Sequence, residues 1–300
     1  MSSAVCARYG EVVTGEEWVE CRCGKRHWGA YGAAGLLLVD RVPAQQVVLQ
    51  HRASWTHFGD SWGIPGGARH QGEDATAGAL REAEEEAGIT AAHVQLLATR
   101  VLAHPDWSYT TALARVTGPV QPRVTDSESA QIEWVGLEAV PELPLLPAFA
   151  DAWPELAAMA VTTATLIVDA ANVMGSRPDG WWRDRAGAVT RLLSELETLA
   201  EHGVPAELLT LAGHRWWPQI VLVTEGQARR VPAIAGGRVQ VVAADRDGDT
   251  QILEEVAARV EEPGRRSVSV VTADRELGQR VRALGGGQIR PRALLALLRP

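Results

Sequence analysis

The stretch from Gly63 to Ile89 constrains this chain more tightly than any other part of it. A Gly63-Ile64-Pro65-Gly66-Gly67 loop is followed, after five residues, by Glu73 and, after seven more, by Arg81; the chain then runs Glu82-Ala83-Glu84-Glu85-Glu86-Ala87-Gly88-Ile89. This pattern predicts a helix over about 74–87 that stops at Gly88, since glycine best takes the left-handed conformation closing a helix. On that helix Glu82, Glu85 and Glu86 stand at i, i+3 and i+4, so one face presents three carboxylates to a common point. Like charges at this spacing destabilise a helix by a few tenths of a kcal/mol per pair, and a hard, oxygen-seeking divalent cation is the natural compensation. Gly66 and Gly67 permit backbone conformations that bring a carbonyl or amide to the same cation or to a phosphate oxygen. Arg81 can hold a neighbouring carboxylate through a forked hydrogen bond. Most glutamate-rich helices are solvated surface. Here the joint spacing of glycine loop, Glu73, Arg81 and Gly88-Ile89 points to a site instead.

A chain of 300 residues exceeds one compact core and predicts two domains. Residues 1–162 hold 11 Lys+Arg against 20 Asp+Glu, whereas 163–300 hold 18 against 17, so the two halves differ in kind. The acidic half suits cation binding, and the arginine-containing half can accept a polyanion. No window approaches the ~18 uninterrupted apolar residues of a membrane span, and the N-terminus lacks the order of a signal peptide. The expectation is a cytoplasmic protein without a membrane partner. Short apolar runs at Gly35–Val39 and Gln46–Gln50 read as strands, as do Gln95–Leu102, Tyr109–Val116 and Ile132–Val135, with a helix near Leu146–Met159. From Thr165 strand and helix alternate: strands at Leu166–Val168, Ile220–Val223, Val239–Val242 and Val268–Val271, helices near 183–202, 250–260 and 275–284. That alternation predicts a mainly parallel sheet covered by helices. The expected organisation is an irregular extension over 1–29, a first domain over 30–160 and a second over 163–300.

The box over Gly67–Ile89 resembles that of Nudix hydrolases, and the resemblance extends over about residues 30–158. It implies an α/β/α sandwich with a mixed sheet and attack of water on phosphorus in a nucleoside diphosphate linked to another group. It further implies Mg²⁺ or Mn²⁺ held by Glu82, Glu85 and Glu86 with Gly67, one glutamate doubling as base, Arg81 orienting them, Glu73 bracing the loop and Gly66 supporting it. Glu133 stands where related enzymes sometimes carry another carboxylate, although strand-end glutamates are more often plain surface. Trp62 and Trp107 are the candidates for stacking a planar base, with Trp55, His57 and Tyr109 also near loops, against the ordinary reading of tryptophan as packing. An oxidised nucleoside triphosphate, a dinucleotide, a nucleotide sugar and an RNA 5′ end all remain open as substrates.

Cys6, Cys21, Cys23 and His27 offer four soft or borderline donors, a set that suits structural Zn²⁺. The single residue between Cys21 and Cys23 is shorter than the usual zinc-finger spacing, and buried thiols beside a packed histidine are the plainer reading.

In the second half, acidic residues follow three strands: Asp169, the Asp245–Asp249 group with Asp247 and Asp249, and Asp274. In a parallel sheet these positions gather at the carboxyl edge, where they can hold Mg²⁺ or Mn²⁺ for phosphodiester cleavage. Helix capping accounts equally for Asp249 and Asp274. Asp169-x-x-Asn172, Asp249-x-x-Ile252 and Thr272–Leu277 resemble the PIN-like and NYN nucleases. The resemblance implies Asp169, Asp249 and Asp274 as metal ligands, Asn172 and Asp247 in support, Glu195 as the nearest helix acid, and RNA as partner; Thr250 stands where some relatives carry a second aspartate. The leading expectation is a Nudix-type pyrophosphohydrolase joined to a domain that binds or cleaves RNA, its path flanked by Arg177, Arg183, Arg185, Arg229, Arg230, Arg246 and Arg275. The alternatives are a nucleotide sensor that binds without turnover, and an RNA-processing factor whose first half trims a 5′ pyrophosphate before the other cuts.

Overall fold

The computed structural model describes residues 14–177, 180–262 and 264–298, which form two compact units. Among these residues one unit comprises 14–40 and 46–152, the other 41–45 and 153–298.

The first unit begins with a hairpin of β1 (Trp18–Glu20) and β2 (Arg26–Trp28), so that residues 18–28 of the extension expected to be irregular pair antiparallel instead, Trp18 opposite Trp28. Then come β3 (Ala33–Val39), β4 (Gln46–Arg52), β5 (Trp62–Gly63), β6 (Gly66–Ala68), α1 (Ala75–Ala87), β7 (Val94–Ala103), β8 (Ser108–Val116) and β9 (Ser129–Gly136). The sheet is mixed: β3 runs parallel to β8 and antiparallel to β6, while β4 pairs antiparallel with β9 and β5. What reads in sequence as a glycine loop therefore includes β6. A Cβ on Gly66 would lie 2.5 Å from the Ala34 carbonyl oxygen, so only glycine lets β6 approach β3 this closely.

Helix α1 packs on that sheet through Ala79, Ala83 and Ala87, spaced by four, against Ala34, Leu36 and Leu38, spaced by two on β3. Asp74 caps its N-terminus by accepting from the Thr76 and Ala77 amides. Gly88 closes it at φ 64°. Because the alanine stripe faces the sheet, the glutamates of the same helix are left at its edge, beside β6.

The second unit holds β10 (Thr162–Asp169), α3 (Ala170–Gly175), α4 (Arg185–His202), β11 (Val204–Pro205), α5 (Ala206–Leu209), β12 (Arg215–Trp216), β13 (Gln219–Thr224), β14 (Val239–Ala243), α6 (Gly248–Val260), β15 (Arg265–Val271), α7 (Arg275–Ala283), β16 (Gly287–Ile289) and α8 (Pro291–Leu297). The helix α2 (Pro147–Ala160) leads into it. Five strands make a wholly parallel sheet in the order β14-β13-β10-β15-β16. The first strand is central, and the chain winds outward on one side before returning to wind on the other. Such an order has its switch point between β10 and β15, at whose carboxyl ends a crevice forms. Ile167, Val221, Val268 and Val270 of the sheet pack with Ile252 and Val256 of α6 and Leu277 and Val281 of α7.

Candidate active site

Arg81 is the hub of the first unit's polar cluster. Its Nε donates to Glu73 Oε1 (2.9 Å) and its Nη2 to Glu73 Oε2 (3.1 Å), a fork, while Nη1 donates to Glu82 Oε1 (2.8 Å) and Glu85 Oε2 (3.0 Å). Nη2 also donates to the Ala68 carbonyl, tying the cluster to β6. Glu73 in turn accepts from the His70 amide at 2.9 Å. Glu86 lies on the other side of the cluster, its Oε2 accepting from the Gly66 amide at 2.7 Å. The sequence reading missed Gln50, a buried amide on β4 that hydrogen-bonds Glu86 and donates to Ser129 Oγ.

The protonation of these carboxylates follows their surroundings. Arg81 holds Glu73 below the usual carboxylate range. At Glu82 burial outweighs the same guanidinium and pushes the pKa up. Glu86 is pushed to about 8, chiefly by burial and further by the negative charges of Glu82 and Asp126. Burial likewise pushes the Tyr109 phenol up.

Glu82, Glu85, Glu86, Gly66 and Gly67 line a cleft of about 770 Å³ whose opposite walls are aromatic: Trp18, Trp28, Trp55, Phe58 and Trp107. Asp126 and Glu128 also line it, carboxylates that no sequence pattern marked out. Two expected residues lie elsewhere. Trp62 is only 7% exposed and stacks on His51 with ring centroids 4.8 Å apart, so its ring is committed to packing and is not available to a base. Glu133 points outward from β9 and accepts from Gln131 Nε2 at 2.8 Å, away from the cleft lining.

The hairpin brings together three of the four soft donors. Sγ of Cys21, Sγ of Cys23 and a ring nitrogen of His27 lie within 4.8 Å of one another. Cys6 falls outside the described residues. Arg22 ties the hairpin to the loop before β8, donating its amide (2.7 Å) and Nε (2.8 Å) to Asp106 and holding that carboxyl down at about 2.

In the second unit the acidic residues gather at the carboxyl edge of the parallel sheet. Asp169 ends β10 and accepts from the Asn172 amide (3.0 Å), Asn172 Nδ2 (2.6 Å) and Thr272 Oγ1 (3.0 Å). Asp274 caps α7 by accepting from the Leu277 amide at 2.9 Å. The capping role expected of Asp249 belongs to Asp247, which accepts from the amide and hydroxyl of Thr250. Asp249 sits in the first turn, its pKa raised by burial and then by Asp169, Asp274, Asp247 and Glu225. Burial also raises Asp169. Glu225 went unmarked in sequence: it accepts from the Gly248 amide at 2.9 Å and adds a further carboxylate to this edge. Glu195, read as the nearest helix acid, is engaged by Arg177 in an ion pair. Of the arginines expected to flank an RNA path, Arg229 faces Asp245 at 3.7 Å and Arg185 stands over the Trp181 ring. Arg275, also among those expected, lines a cavity of about 730 Å³ together with Ala273 and with Arg290 and Arg292, which were not singled out in sequence.

The family model for the NUDIX domain matches residues 32–156. A nucleoside triphosphate pyrophosphatase/Nudix hydrolase fusion protein of Bifidobacterium longum is 43% identical over 157 residues, a match covering 50% of this chain and 33% of that protein. The chain thus spans about a third of that relative's length. A putative 8-oxo-dGTP diphosphatase 3 of Mycobacterium tuberculosis is 44% identical over 160 residues, covering 49% of this chain and 72% of the relative. Among solved structures, the Nudix hydrolase RenU of M. smegmatis aligns with 39% identity and a TM-score of 0.44, over 47% of this chain and 92% of that one.

Proposed function

Because the chain belongs to the Nudix family, we propose that its first half is a Mg²⁺- or Mn²⁺-dependent pyrophosphohydrolase acting on a nucleoside triphosphate or a related nucleoside diphosphate derivative. The observation that carries this reading is the single cluster in which Arg81 gathers Glu73, Glu82 and Glu85 beside Glu86, at the foot of an aromatic-walled cleft. The residues fit a hard divalent cation. Their donors are carboxylate oxygens, and burial first, then the neighbouring charges of Glu82 and Asp126, raises the pKa of Glu86 in a way a bound cation would relieve. Gly67 leaves a cradle that a Cβ would fill, since that atom would lie 2.6 Å from Glu82 Oε2. Glu82, Glu85 and Glu86 would hold the cation, with the backbone of Gly67 beside them. When bound it supplies neutralisation of the diphosphate charge and acidification of the attacking water.

The remaining work falls to the chain's own groups. Arg81 fixes the carboxylates through its fork on Glu73, so their geometry is set before substrate arrives. One of Glu82, Glu85 and Glu86, all of which line the cleft, would also take the proton of the attacking water. In a triphosphate the water oxygen bonds to one of the two phosphorus atoms of the α–β linkage, the bond from that phosphorus to the bridging oxygen breaks, and the leaving group takes the electron pair, giving a nucleoside monophosphate and pyrophosphate. Trp28 and Trp107 offer ring faces for the base. The likeness to a nucleoside triphosphate pyrophosphatase/Nudix hydrolase fusion protein of Bifidobacterium and to a putative 8-oxo-dGTP diphosphatase of Mycobacterium supports a nucleoside triphosphate, 8-oxo-dGTP among them, as the first substrate to try.

For residues 163–300 we read a PIN-like domain that binds or cleaves RNA. Its support is the carboxyl-edge group of Asp169, Asp249 and Asp274 at the switch point, near a cavity walled by Arg275, Arg290 and Arg292. Binding without turnover is favoured as the second reading by one observation: Asp169, Asp247 and Asp274 each commit an oxygen to a helix cap. The test is to incubate the full chain with Mg²⁺ or Mn²⁺ and a panel of nucleoside triphosphates, dinucleotides, nucleotide sugars and 5′-triphosphate RNA, beside Glu85→Gln and Asp274→Asn. Loss of pyrophosphate cleavage in Glu85→Gln alone supports the first assignment. Internal RNA cleavage lost only in Asp274→Asn makes the second half a nuclease. Tight nucleotide binding with no turnover by the wild type overturns the enzymatic reading.

A further inference from the structure

The turn between β1 and β2 is built as a knuckle. The Cys21 amide donates to the Lys25 carbonyl (3.0 Å), and the Gly24 amide donates back to the Cys21 carbonyl (2.9 Å) with Gly24 at φ 81°. This closure turns both thiols to the same side as the ring of His27 on β2. Cys23 Sγ lies 3.2 Å from His27 Nε2, and all three donor atoms fall within 4.8 Å of one another. A tetrahedral ion with bonds of ~2.3 Å to sulfur and ~2.0 Å to nitrogen needs its donors roughly 3.5–3.8 Å apart. The three donors therefore need shifts of less than about an ångström to reach that geometry.

We propose that Cys21, Cys23 and His27 form a zinc site, distinct from the hard-cation site of the glutamates, that sets the aromatic wall of the cleft. Two thiolates and an imidazole are soft or borderline ligands, which select zinc over magnesium. A fourth position remains for water or for His104, whose ring centroid stands 4.3 Å from that of His27. The consequence for the cleft runs through His27. Its ring stacks on Trp107 with centroids 4.4 Å apart and planes 11° from parallel, and Trp107 Nε1 donates to the Trp28 carbonyl at 3.0 Å. Fixing His27 on a metal therefore fixes the ring of Trp107, one of the four tryptophans that line the cleft, and with it the bond to the main chain at Trp28. That part rests on the proposed hydrolase reading; the metal site itself does not.

The experiment measures metal first and activity second. Full-length protein purified without chelator is analysed for metal content as wild type, as Cys21→Ser/Cys23→Ser and as Glu85→Gln. About one zinc per chain is expected in wild type and Glu85→Gln, and a loss of most of it in the double variant. To separate loss of metal from loss of fold, wild type stripped of metal is also titrated with Co²⁺. The tetrahedral cobalt–thiolate absorption should appear, and Zn²⁺ should bleach it. Zinc content equal in the double variant and wild type, or no cobalt–thiolate signal in stripped wild type, overturns the site. If zinc is present but its removal leaves KM for a hydrolysed nucleotide unchanged, the metal site stands and its role in shaping the cleft is overturned.

Discussion

Replacing Glu86 by Gln should stabilise the metal-free protein, by an amount that grows with pH. Glu86 is 9% exposed and its pKa is raised from 4.5 to about 8, so the folded chain holds this proton more tightly than the unfolded chain. The stability it contributes is therefore fully present below about pH 4.5 and is lost as pH rises through about 8. Glutamine is neutral throughout and still offers an oxygen to the Gly66 amide. Linkage places the advantage of the variant at about 1 kcal/mol at pH 5 and roughly 3 kcal/mol at pH 7. With ~1–3 kcal/mol per molar urea, the pH 7 difference becomes a midpoint shift of ~1–3 M in EDTA-treated protein. Added Mg²⁺ should narrow the gap by stabilising the wild type. Equal gaps at pH 5 and pH 8, or a variant weaker than wild type at pH 8, would refute the argument that burial and repulsion strain this carboxylate.

Three other outcomes are expected. Arg81→Lys should lower kcat by about 100-fold or more with little change in KM, because an ammonium cannot fork onto Glu73 while holding Glu82 and Glu85; steady-state kinetics decides this. Trp107→Ala should raise KM by roughly tenfold with kcat nearly unchanged, in line with ~1–3 kcal/mol for a lost base–aromatic stack. Gly88→Ala should cost ~1–2 kcal/mol, read as a lower Tm, since Gly88 sits at φ 64° and its added Cβ would meet the Arg123 guanidinium at 3.3 Å.

The parts legible in sequence were those where local spacing and tertiary role coincide. The helix over 74–87 carries its cap, its alanine stripe and its glycine stop within one short segment, so its edges and its polar face were readable before any packing was known. Strands such as Gln219–Thr224 were visible because a continuous apolar run, here Ile220–Val223, marks a strand buried in a parallel sheet. The hairpin of Trp18–Glu20 and Arg26–Trp28 was not, because three-residue strands around a tight turn are too short for periodicity to register. Trp62 and Trp107 look alike in a sequence; only the pairing of β4 with β5 puts the first ring on His51 and out of the cleft. Gln50, Asp126 and Glu225 stayed hidden because a polar residue on a strand or loop shows its function only once a distant segment, here α1 or α6, is packed beside it.

The central position of β10 carries a cost during synthesis. Leu166, Ile167 and Val168 are completely buried in the finished protein, between strands that begin at Gln219 and Arg265. A ribosome adding ~5–20 residues per second reaches those partners only after several to some twenty seconds. Until β13 is made the apolar run Leu166–Val168 has both edges open, and one stays open until β15 follows, which makes it a target for chaperones and a seed for aggregation. Fragments of the gene that stop before residue 219 should therefore accumulate as inclusion bodies, whereas fragments that stop before β10 escape that hazard.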